Sequence, residues 1–275
     1  MNRLEFSKRL IVPAIILIWP TLIASGQSGR APSSSVIVNK TIATVAFGDS
    51  NTTDFAGGIV NWYERIASFK VAQPVRRQSG YATVVYSTTL NNQSVGGTSV
   101  APTMLGTQNA QYDIVGALNH VTHADIGFVM LGTNDAYRGV TVSAFVNSYE
   151  QLISTIHASG KVNRLVILSV PPMTPPYNCI SGCYPFPHNP EVDRVVLYNQ
   201  QANALLTYCL GIHFACSLLD SSAQIPLNSS YIDPGTGIHL LNPAQAAIAN
   251  NVFAYLSPLF TIIFPPQYNP STIRP

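Results

Sequence analysis

Two continuous apolar segments constrain the fold of this chain more than any other feature of its sequence. Residues 124–131 (ADIGFVML) and 164–170 (RLVILSV) have the length of a β-strand and are bounded by polar residues, glycine or proline. Their apolar side chains do not alternate with polar ones, so each strand is expected to be buried on both faces. Strands of this kind are typical of a parallel sheet covered by helices, and the two segments therefore predict an α/β domain.

Strand and helix signals alternate along the rest of the chain. Strands are predicted where β-branched and aromatic residues are concentrated, and helices where apolar residues recur at helical spacing. The strand segments are residues 41–47, 82–90 and 212–219, and the helix segments are residues 57–69, 141–158 and 191–210, followed by a last helix that begins near Asn242. Because alternating strands and helices are joined by crossover connections, we expect a mostly parallel sheet.

The N-terminus has the organisation of a signal peptide. Basic residues precede an apolar run at residues 10–24, which ends in the small residues 24–26. The run is shorter than the roughly 20 apolar residues of a membrane-spanning helix, and Pro13 and Pro20 interrupt it. We therefore expect residues 1–26 to be a cleaved signal peptide, with a retained N-terminal anchor as the alternative. Either outcome makes the protein secreted or extracytoplasmic.

The remaining chain divides into three segments. A leader rich in Ser and Pro is predicted at residues 27–40, a folded domain at residues 41–256, and a proline-rich tail at residues 257–275. Glycosylation sequons would carry glycans only in a host that glycosylates secreted proteins. They begin at Asn39, Asn51, Asn92 and Asn228.

The four cysteines fit an oxidising compartment. Four cysteines allow three pairings, of which the simplest joins neighbours in the sequence as Cys179–Cys183 and Cys209–Cys216. A zinc site formed by Cys179, Cys183 and His188 is the alternative, although it lacks the second pair of closely spaced cysteines that makes such a motif specific.

Charged side chains are scarce in this sequence. They make up only 9% of the chain, against roughly 25% in an average soluble domain. Outside the N-terminal segment, basic and acidic residues are equal in number and form no basic cluster. Because phosphate contacts depend on Lys and Arg, this composition argues against a nucleic-acid-binding protein.

Four short polar blocks lie where such a sheet keeps its ligand site. In open α/β sheets this site lies at the carboxyl ends of the strands. Together the blocks supply a hydroxyl, glycine N–H groups, a side-chain amide and an imidazole, which are the parts of an acyl-transfer site. They are residues 48–51 (GDSN), 92–98 (NQSVGGT) and 132–135 (GTND), each after a predicted strand, and residues 237–239 (GIH) before the last helix.

In this order, the segments FGDSNT, NQSVGGTS, LGTND and GIH resemble the four sequence blocks of the SGNH (GDSL-type) hydrolase family. The resemblance covers about residues 40–256. It implies a flavodoxin-like three-layer α/β/α sandwich with a five-stranded, mostly parallel sheet in the strand order 2-1-3-4-5. It also implies ester hydrolysis by a serine, with no metal and no cofactor.

The resemblance further implies a role for individual residues. Ser50 matches the nucleophile of the family, and His239 matches the general base. The oxyanion hole would consist of the backbone N–H groups of Ser50 and Gly97 together with the side-chain amide of Asn134.

One element of the family pattern is missing. The last block of the family is Asp-x-x-His, and Thr236 occupies the position of that aspartate. The nearest carboxylate is Asp233, six residues before His239, and the intervening proline and glycines favour a turn. We expect Asp233 to bind the second ring nitrogen of His239, with Thr236 or a backbone carbonyl as alternatives.

These observations lead us to expect a secreted serine esterase that hydrolyses O-acyl carboxylic esters of a small molecule or a carbohydrate. Neither nucleic acid nor a membrane is an expected partner, apart from an uncleaved N-terminal anchor. The departure at Thr236 leaves a catalytically impaired extracellular module that binds carbohydrate as one alternative. An acyltransferase that passes the acyl group to a sugar instead of water is another.

Overall fold

The computed structural model describes residues 36–53, 58–68, 70–77, 80–174, 190–221 and 225–263 of the 275-residue chain. The expected signal peptide and most of the leader lie outside these ranges, as does the end of the expected tail. The expected Cys179–Cys183 disulfide and its alternative, the zinc site with His188, also lie outside them.

A six-stranded sheet forms the centre of the described domain. From one edge to the other its strands are β2 (Val71–Arg77), β3 (Gly80–Thr89), β1 (Val36–Gly48), β6 (Ile126–Met130), β7 (Leu165–Leu168) and β8 (Cys216–Leu219). All neighbouring strands are parallel except β2, which pairs antiparallel with β3. Two short strands, β4 (Met104–Leu105) and β5 (Gln108–Asn109), form a separate hairpin.

The five parallel strands have the order 2-1-3-4-5 when they are numbered along the chain, so the expected flavodoxin-like topology is confirmed. The expectation of five strands is wrong by one, because β2 was not predicted from the sequence. The β2 sequence VAQPVRR has no apolar run and contains Pro74. Proline cannot donate to the ladder and is tolerated on an edge strand, which is where β2 lies.

Helices cover both faces of the sheet. One face carries α1 (Trp62–Ala67) and α7 (Asn242–Ile263), and the other carries α2 (Ile114–Asn119), α4 (Val142–Ala158), α5 (Pro190–Gln200) and α6 (Ala202–Gly211). A short helix, α3 (Thr133–Tyr137), directly follows β6.

The central strands pack against both helical layers at once. On β7, Leu165 and Ile167 belong to the core beneath α4, α5 and α6, whereas Val166 and Leu168 belong to the core beneath α1 and α7. All four side chains are buried, since successive residues of a strand point to opposite faces. The three-layer α/β/α architecture and the double burial of these strands are thus confirmed.

Three helices differ from their expected bounds. Helix α1 has only six residues and begins after Asn61, whose side chain accepts the Glu64 N–H as an N-cap. The single helix expected at residues 191–210 is divided at Gln201 into α5 and α6. Helix α7 extends to Ile263, so residues 257–263 of the expected irregular tail are helical. That extension places Leu259 in the core on the same face of the sheet as α1.

The expected Cys209–Cys216 disulfide is confirmed and joins α6 to β8 across the short turn between them. Of the helices that the structure describes, none combines the length and the apolar character needed to cross a membrane.

Candidate active site

Ser50 lies in the turn that follows β1, at the carboxyl edge of the sheet. This turn requires glycine before it, because a Cβ at Gly48 would lie 2.5 Å from the Thr52 hydroxyl oxygen. The buried Asp49 carboxylate accepts the backbone N–H of Asn51 at 2.9 Å and closes the turn from inside. Burial raises the pKa of Asp49 to about 7. Asp49 therefore supports the turn that carries Ser50.

His239 lies in the loop before α7 and faces Ser50. Its Nε2 is 3.1 Å from the Ser50 Oγ, and both side chains are buried. Burial lowers the pKa of His239 to about 4, against the opposing effect of the Asp233 charge. The imidazole is therefore neutral at pH 7, in the state that can accept a proton from a hydroxyl.

The second ring nitrogen of His239 contacts Thr236. The Nδ1 atom lies 3.0 Å from the Thr236 Oγ1, and that hydroxyl lies 3.0 Å from the Asp233 Oδ2. The direct contact expected between Asp233 and His239 is not formed by their side chains. The Asp233 carboxylate instead accepts hydrogen bonds from within the turn that runs from Asp233 to Gly237. Besides the Thr236 hydroxyl, it accepts the Gly235 N–H at 3.1 Å. Thr236, three residues before the histidine, is thereby the residue against the ring.

Asn51 fastens the histidine loop to the nucleophile turn. Its Nδ2 donates to the Ile238 carbonyl at 3.0 Å, and its Oδ1 accepts the Leu240 N–H at 2.9 Å. One amide thus holds the residues on both sides of His239, and Asn51 is only 1% exposed. In the sequence, Asn51 was noted only as part of a motif and of a sequon. Its position directly after Ser50 is the signal that could have identified it.

The loop that contains Gly97 runs beside the nucleophile turn. The Val95 N–H donates to the Gly48 carbonyl at 2.9 Å, and a Cβ on Gly96 would lie 3.8 Å from the Ser50 Cβ. Gly97 has a φ of +76°, a conformation that favours glycine. The peptide between Gly96 and Gly97, which carries the N–H expected in the oxyanion hole, is therefore close to Ser50.

Asn134 contacts the same loop from helix α3. Its Nδ2 donates to the Thr98 carbonyl at 2.9 Å, and its side chain is almost fully buried. The structure thus gathers the three residues expected in the oxyanion hole in segments that contact one another. Ser50 lies at the end of β1, Gly97 in the adjacent loop and Asn134 in the helix packed on that loop.

Two further side chains hold this loop. They are Asp135 of α3, which was noted from the sequence only as part of the GTND block, and Arg138 directly after α3, which was not noted. The Asp135 carboxylate accepts the N–H groups of Val100 and Ala101, both at 2.9 Å. Arg138 donates from Nη2 to the Gly97 carbonyl at 2.8 Å. Asp135 is fully buried, and burial raises its pKa to about 6. Together they fix the backbone of the loop that carries the Gly97 N–H.

The assembled groups have the chemistry needed to attack a carbonyl carbon. They comprise a hydroxyl, a neutral base against that hydroxyl, and N–H groups nearby that suit a developing oxyanion. Across the residues that the structure describes, no three side chains of His, Cys, Asp or Glu form a group suited to a metal ion.

Comparisons with known proteins concern the family and the fold of this chain. A family model described as GDSL-like Lipase/Acylhydrolase matches residues 44–252. A comparison with curated protein sequences finds no match. Among solved structures, the chain is similar to a carbohydrate acetylesterase from Sinorhizobium meliloti, with a TM-score of 0.55 and 15% identity over 80% of this chain and 100% of that one. It is also similar to the aryl esterase of M. smegmatis, with a TM-score of 0.55 and 16% identity over 79% of this chain and 99% of that one. At these identities the likeness is one of fold.

Proposed function

Because this chain belongs to the GDSL-like lipase/acylhydrolase family, we propose that it is a serine esterase that hydrolyses O-acyl carboxylic esters. In this proposal Ser50 is the nucleophile and His239 is the general base. The backbone N–H groups of Ser50 and Gly97 and the side-chain amide of Asn134 stabilise the oxyanion.

The reaction proceeds in two halves. His239 Nε2 takes the proton of the Ser50 hydroxyl while Oγ attacks the ester carbonyl, and the carbonyl oxygen becomes the oxyanion. Collapse of this intermediate breaks the bond to the alcohol, which leaves with the proton from His239, and an acyl-enzyme remains on Ser50. Water then loses a proton to His239, attacks the acyl carbon and releases the acid, while the proton returns to Ser50.

One observation carries this proposal. A buried histidine nitrogen lies 3.1 Å from a buried serine hydroxyl, at a strand end where glycine and amide N–H groups gather. A structural hydrogen bond alone would not require a neutral imidazole, whereas a general base does. The depressed pKa of His239, near 4, keeps the base unprotonated over the neutral and mildly acidic range.

The substrate that we propose is a short-acyl ester of a carbohydrate or another small molecule. The similar structure from S. meliloti is described as a carbohydrate acetylesterase, which supports this choice among the family's substrates. We also propose that the enzyme is secreted. The Cys209–Cys216 disulfide supports this location, because disulfides persist in oxidising compartments.

The proposal is tested by hydrolysis of p-nitrophenyl acetate. Ser50→Ala is expected to remove activity above the background rate without unfolding the protein, because the change deletes only one oxygen. Ser143→Ala is the matched control, since Ser143 is an exposed serine on α4. Mass spectrometry after treatment with a fluorophosphonate should find the label on Ser50.

Near-wild-type turnover by Ser50→Ala would contradict the proposal, as would labelling of another residue. Activity on p-nitrophenyl esters of increasing acyl length, and on acetylated sugars, then tests the substrate. Equal or greater kcat/KM for long acyl chains would contradict the short-acyl proposal while leaving the mechanism intact.

A further inference from the structure

The Thr236 hydroxyl contacts four groups in the histidine loop, and the longest of these contacts is 3.5 Å, to the backbone nitrogen of Ile238. Its Oγ1 is 3.0 Å from the His239 Nδ1, 3.0 Å from the Asp233 Oδ2 and 3.3 Å from the backbone nitrogen of His239. Asp233 is also tied to this loop by its backbone, since its N–H donates to the His239 carbonyl at 2.8 Å. The side chains of Asp233, Thr236 and His239 therefore form a chain of contacts in that order.

The chemistry of these groups determines where each proton lies. An ionised carboxylate can only accept hydrogen bonds, so the single proton of the Thr236 hydroxyl must point to Asp233. The hydroxyl oxygen is then left to accept, and the His239 Nδ1 must carry a proton in order to donate to it. In a neutral imidazole only one nitrogen is protonated, so Nε2 is the acceptor that faces Ser50.

We propose that Thr236 is a positioning residue through which Asp233 sets the tautomer and orientation of His239. The inference rests on the serine esterase proposed above and adds two residues to it. Thr236 supplies the hydrogen bond to the His239 ring, and Asp233 supplies the charge that orients the Thr236 hydroxyl. In the Asp-x-x-His pattern of the family, a single aspartate has both roles. This sequence has Thr236 at the position of that aspartate.

Dividing the two roles has an electrostatic consequence. Asp233 is separated from the imidazole by a hydroxyl, so its charge stabilises an imidazolium less than a carboxylate in direct contact would. The pKa of His239 agrees with this arrangement, because burial lowers it to about 4 and Asp233 opposes burial only in part.

No other described carboxylate takes the place of Asp233 at the ring. Asp49, from the nucleophile turn, accepts the Asn51 N–H, and Asp135, from α3, accepts the N–H groups of Val100 and Ala101. The charge that acts on the pKa of His239 in the described part of the chain is that of Asp233.

The tautomer can be measured without any catalytic activity. A long-range ¹H–¹⁵N correlation spectrum of the wild-type protein at pH 7 should show the His239 proton on Nδ1. Thr236→Ser should keep it there, and Thr236→Val should move a substantial share of it to Nε2. A wild-type proton on Nε2 would overturn the proposal, and so would a tautomer that is the same in Thr236→Val. Because this measurement does not depend on turnover, it separates failure of the proposal from failure of the esterase function.

Kinetics on p-nitrophenyl acetate test whether the two residues act in series. Since a wrong histidine tautomer costs about 10⁴-fold in a serine protease triad, Thr236→Val should lower kcat/KM by at least about 100-fold. Thr236→Ser should remain within about threefold of wild type, and Asp233→Asn should lose about tenfold, because it keeps the shape of the side chain but not its charge. Asp220→Asn is the matched control, because Asp220 is an exposed aspartate that also accepts a hydroxyl, that of Ser169.

The double variant gives the decisive comparison. If Asp233 acts through Thr236, Thr236→Val with Asp233→Asn should be no more than about threefold worse than Thr236→Val alone, because coupled residues are not additive. Losses that multiply would show that the two residues act independently and would overturn the proposal.

The pH profile distinguishes positioning from a merely structural role. Thr236→Asp places a carboxylate directly against the ring and should raise the pKa of His239. The base must be unprotonated to act, so the acid limb of kcat/KM should move to higher pH by more than about one unit relative to wild type. An acid limb that does not move in Thr236→Asp, in a folded and active variant, would contradict the assigned position of Thr236.

Discussion

Replacement of Asn51 by alanine should destabilise the protein and impair His239 at the same time. The amide is 1% exposed and makes three side-chain hydrogen bonds, to the Ile238 carbonyl at 3.0 Å, from the Leu240 N–H at 2.9 Å and to the Thr133 hydroxyl at 3.4 Å. Alanine removes all three bonds but leaves the backbone bonds of residue 51 in place.

The expected loss of stability follows from the two backbone groups that lose a hydrogen-bond partner, the Leu240 N–H and the Ile238 carbonyl. The Leu240 N–H belongs to a residue that is 2% exposed, and a buried donor left unsatisfied costs about 1–3 kcal/mol. The Ile238 carbonyl lies in a partly buried residue, so its loss is at the lower end of that range. Together they predict a loss of about 2–4 kcal/mol in the free energy of unfolding. For a domain of this size that corresponds to a fall in Tm of roughly 4–16 °C.

Urea unfolding monitored by circular dichroism measures the free energy, and p-nitrophenyl acetate hydrolysis measures the site. Because the loop that carries His239 loses its attachment, kcat should fall at least about tenfold, given that a 1 Å misplacement can cost about 100-fold. Asn250→Ala, an exposed asparagine on α7, is the matched control and should change neither quantity appreciably. A destabilisation by Asn51→Ala below about 1 kcal/mol would refute the claim that this amide holds the histidine loop.

Three other predictions concern single features of the domain. Asn134→Ala should lower kcat about 100- to 1000-fold as an oxyanion donor is lost, whereas a change in KM alone would identify a substrate-binding group. Burial raises the pKa of Asp49 from 3.8 to about 7, so its ionisation destabilises the fold as the pH rises through that range. In urea unfolding, the free energy of unfolding of Asp49→Asn relative to that of wild type should therefore increase from pH 5 to pH 8. A difference between the two proteins that stays constant over this range would contradict the prediction. Replacing Cys209 and Cys216 by alanine should cost about 2–3 kcal/mol of unfolding free energy, measured in the same way, because the disulfide closes a short loop.

Much of the fold was predictable because its signals are local. The continuous apolar segments became the central strands β6 and β7, and the alternation of strands with helices became a parallel sheet between two helical layers. The edge strand β2 was not predictable in this way, since it has no apolar run and contains Pro74. It exists because β3 offers an open edge with which it can pair, and that edge is a property of the assembled sheet.

The candidate site was also predictable from the sequence only in part. The parallel sheet predicted that the polar blocks would meet at one edge. The resemblance of these blocks to those of the SGNH family implied the roles of Ser50, Gly97, Asn134 and His239. The sequence could also state that Thr236 stands where a carboxylate is usual. It could not state which of Asp233 and Thr236 touches the ring, since this depends on how tightly the turn between them closes.

The contacts that hold the histidine in place were decided only by the tertiary structure. Asn51 and Leu240 are 189 positions apart in the sequence, and no spacing rule connects an asparagine after β1 with the loop before α7. What the sequence determined by itself was the type and order of the reactive groups, because these are read from residue identities and strand ends. The direction of each side chain depends on the packing of distant segments, so only the folded chain decides which nitrogen of His239 meets Ser50 and which meets Thr236.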